Sequence, residues 1–409
     1  MVAPTTSQTT TKRPLPSDAV YRNGIARSPA RAYMRAMGLT DEDLAKPIVG
    51  VVSAWNEATP CNSKLDVMAG WAKQGVKAGG GTPREFTTIS VTDGISMGYE
   101  GMKASLVSRE VIADSIELVM MAHGYDGLVG VAGCDKTLPG IIMAMARVNV
   151  PSVFVYGGSI MPGKWRGKDV TIQDVFESVG AVEAGRMTEA EQYELECVAC
   201  PGHGACGGMY TANTMAVASE ALGIALPFSA SMPAEAPERA ELLRWAGSRL
   251  MRLIADDIRP RDILTRHAFE NAIALVVAVG GSTNLALHLP AMAHECGIDI
   301  TLDDIDHIAR VVPHIADMRP GGRFVQSDLH AVGGAPRVLK ELFDAGLLHG
   351  ECMTVTGRTM AENLRDLQFP ANNEVVLPMD APIEKTGTLV ILKGNLSPEG
   401  GVMKTSGVH

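Results

Sequence analysis

Between residues 48 and 156 the chain alternates short, unbroken apolar runs with longer stretches of helical periodicity. That alternation limits the fold more than any other feature. Ile48-Val49-Gly50-Val51-Val52-Ser53 reads as a buried strand, and residues 63–77 as a helix with Leu65, Met68, Ala69 and Ala72 on one side and Asn62 as its N-cap. A second strand is expected over 86–91, followed by a long amphipathic helix over 102–123 that carries Leu106, Ile112, Ile116, Val119 and Met120 at helical spacing. A third strand over 128–132, a helix over 139–148 and a fourth strand over 152–156 complete the series. Strands that alternate with helices in this way form a largely parallel sheet with helices on its faces. The fold class is therefore α/β.

Downstream, residues 162–196 read as polar, helical surface structure, and helices are expected over 210–222 and 238–256. Residues 262–296 read as two helices broken at Gly280-Gly281-Ser282-Thr283-Asn284, and Thr301 with Asp304 has the form of a helix start. After about residue 370 the character changes to short strand-like runs, 374–378 and 387–392, separated by Gly and Pro. These shifts divide the chain into a disordered tail (1–20), a large α/β domain (21–375) and the start of a second domain (376–409). Met1 to Thr11 lack both the apolar core of a secretory signal and the arginines of a transit peptide. Seven cysteines without such a signal point to a reducing compartment, the cytoplasm. A net charge of −10 with no basic cluster argues against nucleic acid, and no apolar run has the length of a membrane span.

Side chains capable of chemistry collect at the ends of the expected strands. Gly133-Cys134-Asp135-Lys136-Thr137-Leu138-Pro139-Gly140 sets a thiol, a carboxylate and an amine side by side between a strand and a helix, where open α/β sheets gather ligands. Cys61 follows the first strand and Asp93 the second. Cys61, Cys134 and Cys206 each lie in a Gly- or Pro-containing loop ahead of a helix, where backbone N–H groups favour thiolate charge. Three thiolates on iron would leave a coordination position open, as in catalytic metal sites. Carboxylates such as Asp93 and Asp135 suit Mg²⁺ rather than iron, so two metal sites could abut, with Lys136 as counter-ion or, if its charge were removed, as ligand. Asp93, ahead of Gly94, reads on that pattern alone as a turn residue rather than a ligand. Cys197-Val198-Ala199-Cys200 with Cys206 and His203 is balanced between a metal site and a Gly-rich turn, because no second cysteine pair follows. Cys296 and Cys352 read as buried structural thiols.

Several of these stretches together resemble the dihydroxy-acid dehydratase family, which includes the phosphogluconate and sugar-acid dehydratases. They are Pro60-Cys61-Asn62, Thr92-Asp93-Gly94-Ile95-Ser96-Met97-Gly98, Ser108 to Ser115, Gly133-Cys134-Asp135-Lys136 with Pro139-Gly140, and Gly204-Ala205-Cys206-Gly207-Gly208-Met209-Tyr210-Thr211-Ala212-Asn213-Thr214-Met215. The resemblance runs from about residue 24 to the end. It implies that Cys61, Cys134 and Cys206 hold a [2Fe–2S] cluster, and that Asp93, Asp135 and a carbamylated Lys136 bind Mg²⁺. Cys197 and Cys200 match none of the family's ligands. Gly394 to Gly400 resembles the first part of the family's C-terminal β-barrel domain, which the chain would contain only in part; the serine base and a last Mg²⁺ ligand would lie on the remainder. The implied activity is dehydration of a 2,3-dihydroxy acid, such as 2,3-dihydroxyisovalerate or 2,3-dihydroxy-3-methylvalerate, to the 2-keto acid in valine and isoleucine synthesis. A sugar-acid dehydratase is the near alternative, and the implied assembly is a homodimer. Iron–sulfur electron carriage and a structural zinc module remain as readings from other classes.

Overall fold

In the computed structural model, residues 13–370 and 373–407 are described. The four expected strands form one sheet: β1 (Ile48–Ser53), β2 (Thr82–Thr87), β3 (Gly127–Ala132) and β4 (Ser152–Tyr156) stand in the order β2-β1-β3-β4. All three pairings are parallel, with Val51 opposite both Glu85 and Val129, and Val129 opposite Val153. β1, β3 and β4 are buried along their whole length, whereas the edge strand β2 alternates half-buried and exposed positions at Arg84 to Thr87. That difference accounts for a shift in β2. It begins at Thr82 rather than 86, because an edge strand needs no continuous apolar run, and Asp93 consequently lies six residues beyond the strand.

The strands are joined by helices α1 (Leu65–Ala78), α2 (Lys103–His123) and α3 (Thr137–Val148). α1 packs with a later helix, α6 (Arg239–Asp256), while α2 packs with α3. Both approaches require residues without a side chain. A Cβ on Gly75 would lie 2.9 Å from Arg244 Cα on α6, and one on Gly140 would lie 2.9 Å from the Arg109 carbonyl on α2. The connection from β1 to β2 runs toward one edge of the sheet, and those from β2 to β3 and from β3 to β4 run toward the other. Right-handed crossovers therefore set α1 on one face and α2 with α3 on the opposite face. The crevice between the carboxyl ends of β1 and β3 is the topological switch point of the sheet.

Residues 13–20 of the expected tail are packed against the sheet domain: Ser17 donates from its backbone N–H (2.8 Å) and its hydroxyl (2.6 Å) to Asp126, which also accepts from Ile48 N (2.7 Å). Residues 1–12 lie outside those described. The polar 162–196 region is a small hairpin, β5 (Gly163–Trp165) with β6 (Lys168–Val170), and two helices with Thr-based capping boxes. α4 (Glu189–Val198) is the second of these, and α5 (Thr211–Ala221) is buried at every position. The break at 280–284 separates α7 (Arg266–Ala278) from α8 (Leu285–Glu295), and Thr301 with Asp304 caps α9 (Leu302–Val311). At the C-terminus β7 (Leu389–Gly394) and β8 (Ser397–Lys404) pair antiparallel, and β7 packs on α9. Residues 374–378 are not a strand, since only Val376 makes a bridge, to Ala316. Among the described residues no helix is long and apolar enough to cross a membrane.

Candidate functional site

The loops after β1 and β3 descend into the switch-point crevice and bring two of the sequence-predicted thiols together. Cys61 and Cys134 are close enough for a sulfur–sulfur hydrogen bond, which with burial raises the Cys134 thiol well above its ordinary pKa. Cys134 is fixed from its own helix: its N–H donates to Thr137 Oγ1 (2.9 Å), and that hydroxyl donates to the Cys134 carbonyl (2.7 Å). Gly133 is obligatory at this approach. A Cβ there would sit 2.8 Å from Asn62 Oδ1 and 2.9 Å from the Cys61 carbonyl carbon.

Cys206 reaches the same place from a distant part of the chain. Gly204 N–H donates to the Pro60 carbonyl (3.0 Å), Ala205 N–H to the Gly158 carbonyl (2.9 Å), and Ser63 Oγ pairs with His203 Nδ1 (2.7 Å). Asn213, fully buried on α5, donates to the carbonyls of Cys206 and Gly208 (2.7 Å each) and accepts from the Tyr156 hydroxyl at the end of β4 (2.6 Å). Burial first, then the negative charge of Asp135 and Cys134, pushes the Cys206 thiol up to about 12. Cys134 and Cys206 therefore pay heavily in desolvation when ionised, a cost that a bound cation would offset.

The carboxylates form the adjoining half. Asp93 opens a single helical turn, Asp93–Ser96, and accepts from Lys136 Nζ (2.6 Å) and from the Ser105 hydroxyl of α2. The Asp93–Lys136 pair is buried, with side-chain exposures of 11% and 5%. Desolvation and then the charge of Asp93 push Asp135 up to about 6, against the opposing pull of Lys136. Two carboxylates and one ammonium in a buried site carry excess negative charge, the donor set of a hard divalent cation.

Three observations bear on which groups this site fits. Asn62, expected as a helix cap, is fully buried with both amide atoms unpartnered, and the residue before α1 is Lys64. An orphaned amide beside Cys61 and Gly133 is a donor and acceptor awaiting a partner. Cys61, Cys134 and Cys206 do not bring their ligand atoms within 4.8 Å of one another as a single-ion group does, which suits a cluster of more than one metal better than a lone ion. Cys197 and Cys200 are exposed at the end of α4, and His203 is taken up by Ser63, so the zinc grouping Cys197, Cys200, Cys206 and His203 is not assembled. Cys352 is buried and Cys296 half-buried; both lie in or against the hydrophobic core, as expected of structural thiols.

Sequence reasoning missed the supports: Ser105, Thr137, Asn213 and the His203–Ser63 contact. Asn213 lies inside a motif already singled out, but its reach to Cys206 and Tyr156 depends on tertiary placement. Arg239 was missed too. Fully buried with no carboxylate, it donates to the carbonyls of Tyr156 (2.6 Å), Pro233 (3.1 Å) and Met232, pinning α6 to the end of β4.

Comparison with known proteins gives a consistent result. The family model described as Dihydroxy-acid/6-phosphogluconate dehydratase N-terminal matches residues 46–363, and its C-terminal counterpart matches residues 374–409. The chain is 56% identical over 402 residues to Dihydroxy-acid dehydratase 2 of Bradyrhizobium diazoefficiens, covering 98% of this chain and 70% of that protein. It is 55% identical over 403 residues to the dihydroxy-acid dehydratase of Parvibaculum lavamentivorans, again covering 98% and 70%. Against the enzyme of the same name from Sulfurisphaera tokodaii, identity is 53% over 392 residues, covering 95% and 70%.

Proposed function

Because this chain belongs to the dihydroxy-acid/6-phosphogluconate dehydratase family, we propose that it is a hydro-lyase converting a 2,3-dihydroxy acid to the 2-keto acid in branched-chain amino-acid synthesis. The observation that carries this reading is the convergence of Cys61, Cys134 and Cys206 with Asp93, Asp135 and Lys136 at the switch point of the sheet. Cys61, Cys134 and Cys206 would hold a [2Fe–2S] cluster, and Asp93, Asp135 and a carbamylated Lys136 would hold Mg²⁺. When bound, these groups supply Lewis acidity toward the substrate's hydroxyl and carboxylate oxygens.

The chain's own residues set up that chemistry. Cys134 and Asp135 are consecutive, so the soft and hard halves of the site are held one residue apart by covalent geometry. Asp93 is oriented from α2 by Ser105 and from α3 by Lys136. With a dication taking over the two carboxylates, the Lys136 amine loses its ion-pair partner, and a carbamate there would add anionic oxygens of the kind Mg²⁺ prefers. In the net reaction the C2 proton and the C3 hydroxide leave and together make up one water, and the resulting enol gives up its hydroxyl proton as C3 takes one up, which yields the 2-keto acid. The chain's residues exclude bulk water from one side of this centre, since Cys134 and Lys136 are all but fully buried.

Two further parts of the reading have support of a different kind. Leu118 and Met121 on α2 are exposed apolar residues that a homodimer would cover. All seven cysteines are free thiols, as a reducing compartment requires.

The test combines metal analysis with a substrate panel. After anaerobic reconstitution, the protein is expected to contain iron, sulfide and Mg²⁺ and to bind 2,3-dihydroxyisovalerate in preference to sugar acids. Cluster binding that survives Cys134→Ser but not Cys197→Ser would overturn the ligand assignment, and preference for a sugar acid would overturn the substrate class.

A further inference from the structure

A second group of metal-binding side chains lies away from this centre. His267, in the first turn of α7, and His349, in the loop after the helix Gly334–Asp344, stack their rings face to face at 4.0 Å with an interplanar angle of 6°. His267 Nδ1 meets Glu351 Oε1 at 2.7 Å, and His349 Nε2 meets Glu270 Oε2 at 2.8 Å. Among the described residues, His267, His349 and Glu351 are the one set of three or more His, Cys, Asp or Glu whose ligand atoms all lie within 4.8 Å of one another.

Ordinary ion pairing accounts for each His–Glu contact alone, but not for the backbone beneath them. Asn271, fully buried one turn along α7, donates to the His349 carbonyl (3.0 Å) and accepts from the His349 N–H (2.8 Å). Its amide also lies 3.7 Å from Cys352 Sγ. One buried side chain therefore clamps the backbone of residue 349 on both sides and fixes the base from which the second ring projects. Glu270 is steadied by Arg266 Nε at 3.0 Å. Two imidazoles on a rigid base, with a mobile carboxylate above and a braced one beside, have the form of a metal site: nitrogens first, one or two oxygens to complete the set, and a carboxylate that orients a ring.

We propose that His267, His349 and Glu351, with Glu270 as fourth ligand or as hydrogen-bond partner of His349, bind a divalent transition-metal ion of the Zn²⁺, Co²⁺ or Ni²⁺ class. Tetrahedral bonds of about 2.0–2.2 Å require ligand atoms nearer than 4.8 Å. A shared ion must lie in the plane of both rings, so binding turns His267 and His349 out of their parallel stack; their exposed side chains, at 53% and 40%, and that of Glu351, at 65%, supply the movement. Binding expels whatever protons the rings share with the two glutamates, and it staples the start of α7 to the segment 349–351. The role is structural, and it is independent of the dehydratase reading.

Co²⁺ distinguishes this site from the cysteine centre, because thiolate ligation adds a strong sulfur-to-metal charge-transfer band that nitrogen and oxygen ligands lack. The full 409-residue chain is titrated with Co²⁺ while absorption and stoichiometry are followed, together with the variants His267→Ala, His349→Ala, Glu351→Ala, Glu270→Gln and Cys134→Ser. One equivalent free of the thiolate band is expected. It should persist in Cys134→Ser, disappear in either His variant, and weaken by about tenfold in Glu270→Gln. Zn²⁺ should raise the thermal midpoint of the wild type and of Cys134→Ser but not that of His349→Ala. Should a His variant fail to fold, Glu351→Ala, altered at an exposed side chain, carries the test through loss of the same equivalent. Absence of any such equivalent, or its survival in the His and Glu351 variants, would overturn the proposal.

Discussion

Replacing Gly133 by alanine isolates the geometric demand of the cysteine centre. The added Cβ would lie 2.8 Å from Asn62 Oδ1 and 2.9 Å from the Cys61 carbonyl carbon, with the Cys61 carbonyl oxygen nearer still. Ordinary contacts begin near 3.4 Å, so the carbonyl carbon alone demands a retreat of 3.4 − 2.9 = 0.5 Å, and the nearer carbonyl oxygen makes the Cys61 loop move further from the Cys134 loop. Overpacking of this kind costs about 1–3 kcal/mol, a loss that a chain with this much buried core survives. The consequence for function is larger, because a shift of that size separates two ligand loops that must stay in register. Gly75→Ala serves as the control: its Cβ would lie 2.9 Å from Arg244 Cα, a comparable clash between α1 and α6 outside the site. Both variants should lose similar stability in urea unfolding. After anaerobic reconstitution, iron and sulfide per folded molecule should collapse in Gly133→Ala and stay at wild-type levels in Gly75→Ala. Equal cluster content in the two variants would refute the claim that the Gly133 contact sets the thiol geometry.

Three further predictions address individual groups. Removing Lys136 as Lys136→Met leaves Asp93 and Asp135 together without a buried cation, and should lower the unfolding free energy of the metal-free protein, measured in urea, by about 3–5 kcal/mol; an unchanged value would show that the ammonium does not compensate them. Glu220 is fully buried, accepts from Phe228 N (3.1 Å) and Ala230 N (2.5 Å), and is pushed up to about 8, chiefly by burial. Its folded pKa lies above the unfolded value of 4.5, so the folded state holds the proton more tightly. Stability is therefore full below about pH 4.5 and falls as pH rises toward about 8, by an amount of order a few kcal/mol; Glu220→Gln should flatten that fall, and an unchanged slope of midpoint against pH would contradict the assignment. Finally, Cys197→Ser should leave the visible absorption of the reconstituted cluster untouched, whereas Cys206→Ser should abolish it.

Much of the sheet was legible because buried parallel strands are written as continuous apolar runs, as Ile48 to Ser53 and Ser152 to Tyr156 show. The edge strand β2 was not, since Thr82-Pro83-Arg84-Glu85-Phe86-Thr87 needs to bury only alternate side chains beyond its first two. Cys61 and Cys134 could be placed near one another from strand order alone, because ligand loops follow strand ends. Bringing Cys206 to them depends on Gly204, His203 and Asn213 meeting Pro60, Ser63 and Tyr156 across 57 to 144 residues of sequence separation, with no local pattern to mark it. Asn62 misled for a related reason: a short polar residue ahead of a helix has the sequence form of a cap, and only its burial shows that its amide faces inward. The exposed Cys197 and Cys200 show the converse, that spacing attractive to a metal carries no weight without convergence.

The long ties at either end of the sheet also bear on how the chain can be made. Strands β1 to β4 are complete once residue 156 has been synthesised, yet Asp126 reaches back to Ser17 while Tyr156 waits for Arg239, 83 residues later. A nascent chain emerging at about 5–20 residues per second thus exposes the β4 end of its sheet for roughly 4–17 seconds before α6 arrives. Cys206 emerges 50 residues into that interval, after Cys61 and Cys134 and ahead of Met232 and Pro233, whose carbonyls share Arg239 with Tyr156. Closure of the β4 end of the sheet is in this way timed by the placement of a single buried arginine.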